Sequence, residues 1–124
     1  MTDDHRDMSL PLSDPDRLIH EPARYNIMAL LYVIDTADFL FVQNQTLLTP
    51  GNLSAHLSKL EKAGYVKVNK EFVGKKPKTF LILSSQGRAA FEKYRKKMQE
   101  IITIPLTDVR EVKNDNDGNQ KSEN

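Results

Sequence analysis

From residue 14 to residue 104 the apolar positions recur first every three to four residues, then every second residue, then every three to four again, and each change of period predicts a change of element. Asp14 and Pro15 predict an N-cap and a first-turn proline for a short helix holding Leu18 and Ile19, which Pro22 interrupts. Pro22 can open the next helix, whose core face is Ile27, Leu30, Leu31 and Ile34, with Tyr25, Met28 and Tyr32 as a second apolar stripe. A helix apolar on two sides needs two packing surfaces, so the second stripe meets either the C-terminal helix or a partner chain. Ala37, Asp38 and Phe39 predict a small strand or a tight link. The next residues, LFVQNQ, are read as a brief helix, although the strand propensity of FLFV leaves both periods open.

Residues 48–66, LTPGNLSAHLSKLEKAGYV, then carry both ends of a helix. Thr49 offers a side-chain oxygen as N-cap, Pro50 suits the first turn, and Gly64 suits a left-handed C-terminal cap. Leu53, Leu57 and Leu60 form one narrow apolar stripe. Gly51, Ala55, Ser58 and Lys62 lie opposite, with Lys59 to one side, so the free face is small, polar and basic. A helix with such a face fits the width of a DNA major groove. With the brief helix before it, this makes a helix-turn-helix arrangement.

Tyr65, Val66, Val68, Phe72 and Val73 predict a strand, Gly74-Lys75-Lys76-Pro77-Lys78 a turn, and residues 79–83 the return strand. Lysines at such a turn suit sugar-phosphate; they also suit the blocking of edge pairing, and the pattern alone does not choose. Ser84 or Ser85 caps a final helix reaching about Ile102, with Phe91, Tyr94, Met98, Ile101 and Ile102 at helical spacing. Its length predicts pairing with a second copy; docking on the helix that begins at Pro22 is the alternative. The expected organisation is a flexible segment 1–13, one domain over 14–104, and a disordered tail over 105–124.

Charge changes the picture. The net charge of +1 conceals +7 over residues 23–104, between −4 over residues 1–22 and −2 over residues 105–124. A basic domain between acidic ends points to a polyanionic partner. The 124 residues contain no cysteine, which removes thiolate catalysis and thiolate metal sites. His5, His20 and His56 lack metal-ligand spacing, so no metal or cofactor is expected, and no phosphate-binding glycine loop or zinc-protease helix is present. His56, on the capped helix, is read as packing at its flank. No run approaches a membrane span and no signal segment opens the chain, so the expectation is a cytoplasmic protein that is not an enzyme.

The run LIHEPARYNIMALL, ADFLF, LTPGNLSAHLSKLEKAGYV and GKKPKTFLILSSQGRAAFEKY resembles the MarR/ArsR-like winged-helix transcriptional regulators, over roughly residues 14–102. The resemblance implies an α+β, mostly helical winged helix-turn-helix with a two-stranded basic wing and a long C-terminal dimerisation helix. It implies a recognition helix over 49–63, a wing at 74–78, and a homodimer that binds double-stranded DNA. The residues expected to contact DNA are Thr49, Gly51, Asn52, Ser54, Ala55, Ser58, Lys59, Lys62, Lys75, Lys76 and Lys78; those at the dimer interface are Tyr25, Met28, Tyr32, Phe91, Tyr94, Met98, Ile101 and Ile102.

Ala55 departs from the pattern, since relatives often carry arginine or another long polar residue there. Alanine can meet a thymine methyl but cannot make a bidentate guanine contact. The acidic, asparagine-rich tail is a second departure, for which the resemblance offers no role. An effector site near Tyr25, Met28 and Tyr32 is open, although the same side chains suit interface core. From another functional class, the basic face could dock an acidic protein, because winged helices serve as interaction modules too.

Overall fold

The computed structural model describes residues 12–103. Apart from Leu12 and Ser13, the expected flexible segment lies outside the described residues, as does the expected tail. The elements are α1 (Asp14–Ile19), α2 (Pro22–Ile34), β1 (Thr36–Asp38), α3 (Phe39–Thr46), α4 (Pro50–Lys62), β2 (Val66–Val73), β3 (Lys76–Leu83) and α5 (Ser85–Ile102). The chain divides into two compact units at Tyr94 and Arg95, and α5 spans the division. The fold is the expected α+β winged helix-turn-helix, with one antiparallel sheet in the order β1-β3-β2.

Capping chemistry accounts for the helix starts. In α1 the cap is Ser13, not Asp14: its Oγ accepts from the Asp16 N–H, while the Asp16 carboxylate accepts from the Ser13 N–H. This reciprocal pair satisfies two amides that an Asp14 cap would leave open. Thr49 caps α4 as expected, its hydroxyl accepting from the Asn52 N–H at 3.1 Å, and Gly64 beyond the helix end has φ of 81°. The ambiguous FLFVQNQT is a helix, because Asp38 caps it through the Phe41 N–H at 2.7 Å.

Leu47 ends α3 with φ of 59°, the left-handed region, and is 89% exposed. A leucine there suffers backbone crowding and gains no burial in return. Leu47→Gly is therefore expected to raise stability by about 0.5–1 kcal/mol, read as a higher melting temperature.

The hairpin turn is shorter than the sequence suggests. Strand pairing continues to Val73 opposite Lys76, which leaves a two-residue connection of Gly74 and Lys75. Gly74 has φ of 68°, the conformation that a tight hairpin asks of its first loop residue. Lys76, Pro77 and Lys78 are therefore strand residues.

The core of the first unit joins α2, α4, the sheet and the first turns of α5. Ile27, Met28, Leu31, Leu53, Leu60, Val66, Leu81 and Phe91 are all less than 2% exposed. Met28, assigned from spacing to an outer stripe, is thus a core residue of its own chain. Ile34 leaves the expected core face at 38% exposure, because the chain turns away at Asp35. The start of α5 is fixed by Ser84, whose hydroxyl accepts from the Gly87 N–H and donates to the Gly64 and Tyr65 carbonyls. There the helix meets the Tyr65 backbone so closely that a Cβ on Gly87 would lie 2.2 Å from the Tyr65 carbonyl oxygen.

Candidate nucleic-acid interface

On α4 the three leucines point inward and everything expected to face a partner is exposed. Leu53, Leu57 and Leu60 are buried, whereas Thr49, Gly51, Asn52, Ser54, Ala55, Ser58, Lys59 and Lys62 are all exposed. Lys59 and Lys62 stand in the last turn, where they also complement the negative end of the helix dipole.

His56 flanks this face and is tied inward. The Arg24 guanidinium lies 3.2 Å from its Nδ1, and the Glu21 carboxylate lies 3.8 Å away. Glu21 caps α2 through the Arg24 N–H at 2.9 Å. Partial burial alone would raise the Glu21 carboxyl, but the Arg24 amide and the neighbouring His56 and Arg24 hold it below its usual value. This cluster joins α4 to the start of α2 and matches the flank-packing role expected of His56. Among the described residues no group of three or more metal-ligating side chains is present.

The hairpin lysines separate into different environments. Lys75 and Lys76 are exposed at the tip. Lys78 instead lies 3.9 Å from the Asp38 carboxylate and stands opposite Glu71 across the ladder, so its charge is already offset. Lys70, not among the expected contacts, lines a cleft of about 400 Å³ together with Phe39, Ser54, Leu57, Ser58, Glu61, Val68 and Thr79. The period-two pattern of Val66 and Val68 carries the signal that places Lys70 on the face toward α4.

The expected dimer residues also separate. Phe91 is 1% and Tyr94 5% exposed, and with Met28 they are covered by their own chain, leaving a partner almost nothing to bury. Aromatic packing explains this: Tyr25 lies 5.5 Å from Phe91 and 6.1 Å from Tyr94, and Tyr32 lies 5.3 Å from Phe91. For residues 85–94, docking on α2 is therefore the arrangement found. Tyr25 and Tyr32 remain half-buried, and Arg88 caps the Tyr32 ring at 4.6 Å. The Tyr32 hydroxyl donates to Glu92 at 2.6 Å, which raises its pKa above the usual tyrosine range. In the second unit Met98 and Ile101 are half-buried and Ile102 is 75% exposed.

Comparison with known proteins agrees with this geometry. Residues 23–102 match the family model of the winged helix DNA-binding domain. The uncharacterised protein MJ0432 of Methanocaldococcus jannaschii is 35% identical over 78 residues, covering 63% of this chain and 85% of that protein. A transcriptional regulator homologue from Pyrococcus horikoshii OT3 superposes with a TM-score of 0.66 at 29% identity, over 69% of this chain and 85% of that one. AbfR bound to DNA shares the fold at 17% identity with a TM-score of 0.57, over 79% of this chain and 69% of that one. Among the described residues no helix is long and apolar enough to cross a membrane. Capped helix, projecting hairpin and matched family together identify the chain as a member of the winged helix DNA-binding domain family.

Proposed function

We propose that this protein is a homodimeric transcriptional regulator that binds double-stranded DNA, with α4 in the major groove and the hairpin on the backbone or in the flanking minor groove. The observation that carries the reading is the exposed face of α4, small and polar with lysines at its end, beside a hairpin with lysines at its tip. Thr49, Asn52, Ser54 and Ser58 supply register and base contacts, and Gly51 and Ala55 allow close approach. Lys59, Lys62, Lys75 and Lys76 supply salt-dependent affinity, with a smaller share from Lys78 because Asp38 competes for it. The relatives support it as well: the P. horikoshii protein is described as a transcriptional regulator homologue, and AbfR was seen on DNA.

Dimerisation draws on the half-buried Tyr25 and Tyr32 and on Met98, Ile101 and Ile102 at the end of α5. Two copies would address half-sites one helical turn, roughly ten base pairs, apart. Sedimentation should give a dimer, and a monomer at all concentrations would remove this element.

Anisotropy titration of a random duplex at two salt concentrations tests the DNA reading. Micromolar, salt-sensitive binding is expected. Replacing Lys75, Lys76 and Lys78 together by alanine should weaken binding to all sequences and flatten the log–log salt slope by about two units, not three, since each free phosphate contact contributes about 0.9. An unchanged slope would remove the hairpin from the interface. Absence of binding at low salt would favour the docking of an acidic protein instead.

A further inference from the structure

The two faces of the hairpin differ. Strand alternation and register put Val66, Val68, Lys70 and Phe72 of β2 on one face with Leu83, Leu81, Thr79 and Pro77 of β3. The inner end of this face is core, with Val66, Leu81 and Leu83 buried. Its middle, at Val68, Lys70 and Thr79, lines the cleft beside Ser54 and Ser58 of α4. Its outer end is Phe72 directly opposite Pro77, an apolar pair beyond the cleft, and Phe72 is 76% exposed. Lysines flank the pair, Lys70 two residues before Phe72 on the same face and Lys75 in the turn, while Lys76 and Glu71 stand on the opposite face.

The reach of the hairpin is set by β1, which pairs with β3 only at Phe80, Leu81 and Ile82. Residues 76–79 therefore run past the three-stranded part, a span of roughly 13 Å at the usual strand rise. That exceeds the roughly 7.5 Å depth of a B-DNA minor groove.

We propose that Phe72, backed by Pro77, is an apolar wedge that presses into the minor groove flanking the α4 site, with Lys70 and Lys75 on the bordering phosphates. This rests on the DNA-binding reading and assigns the groove contact to a residue outside the lysine cluster. Charge chooses the occupant: an exposed apolar pair with Lys70 and Lys75 beside it fits a sugar and base-step surface lined with phosphate. A wedge also reads deformability, because flexible pyrimidine–purine steps open at least cost. It thereby supplies sequence preference that Ala55 on α4 does not.

The test uses the full chain and its Phe72→Ala and Phe72→Leu variants, titrated against the same random duplex at two salt concentrations. Phe72→Ala should weaken binding about tenfold with the salt slope unchanged, since no phosphate contact is lost, while Phe72→Leu keeps most of the affinity. Pre-loading an A·T-rich duplex with netropsin, which fills the minor groove, should weaken the native protein and leave Phe72→Ala nearly unaffected. The side chain is exposed, so all three proteins should melt at the same temperature. Native binding with Phe72→Ala equal to it would overturn the wedge and leave the DNA reading standing. No duplex binding by the native chain would overturn both. A change of oligomeric state in Phe72→Ala without DNA would overturn the wedge in favour of a second copy.

Discussion

Replacing Gly87 by alanine is expected to destabilise the protein by about 3 kcal/mol, the upper end for forcing an extra carbon into a packed site. The added Cβ would lie 2.2 Å from the Tyr65 carbonyl oxygen and 2.9 Å from the Tyr65 carbonyl carbon. Those atoms are backbone, and no rotamer change can move them away. Relief requires the start of α5 to back off, and that strains the Ser84 bonds to the Gly64 and Tyr65 carbonyls. For a domain of this size the melting temperature should fall by roughly 12–24 °C. Gly51→Ala is the internal control. Nothing lies within 4 Å of its Cβ, so its effect should stay below about 1 kcal/mol, in the stabilising direction. Equal melting temperatures for the two variants would mean that α5 does not depend on its contact with Tyr65.

Leu60→Ala is expected to cost about 3 kcal/mol, within the 2–5 kcal/mol usual for such truncations. Leu60 is 0% exposed and closes the inward stripe of α4 with Leu53 and Leu57. The cavity lies beneath the helix proposed to enter the major groove, so thermal unfolding and duplex binding together report whether α4 moves as a rigid piece. The melting temperature should drop, while affinity well below the transition should stay near native, because the remaining stability still favours the folded form. Lost affinity in a fully folded variant would show that α4 shifts to fill the void. An unchanged melting temperature would contradict the burial of Leu60.

Much of the candidate site was legible in the chain because its signals are local. Thr49, Pro50 and Gly64 act within a turn of where they stand, and Leu53, Leu57 and Leu60 share a face by spacing alone. The exposed side of α4 follows from them without knowledge of the rest of the fold. The hairpin is legible in outline, but its turn is shorter than the composition suggests. A lysine-rich GKKPK run has the composition of a loop, and only the ladder between Val73 and Lys76 shows that three of its residues are strand.

What escaped depended on what lay opposite. Periodicity places Met28 on a stripe with Tyr25 and Tyr32, yet cannot say that Met28 is fully buried in its own chain while the two tyrosines pack on the rings of α5. Counting lysines made Lys78 equal to Lys75 and Lys76, whereas Asp38 approaches it from forty residues away. In the sequence Lys70 and Phe72 are ordinary strand residues; the register sets them on the face that carries Val68 and Thr79 of the α4 cleft.

Caps, periods and charge segregation thus decided the order of elements, the two faces of α4 and the basic character of the domain, because each acts over a few residues or over the summed charge. The tertiary structure alone decided which charges remain free, which apolar side chains already have partners, and why residue 87 is glycine. Those are properties of distances between segments far apart in the chain, and no local pattern encodes them.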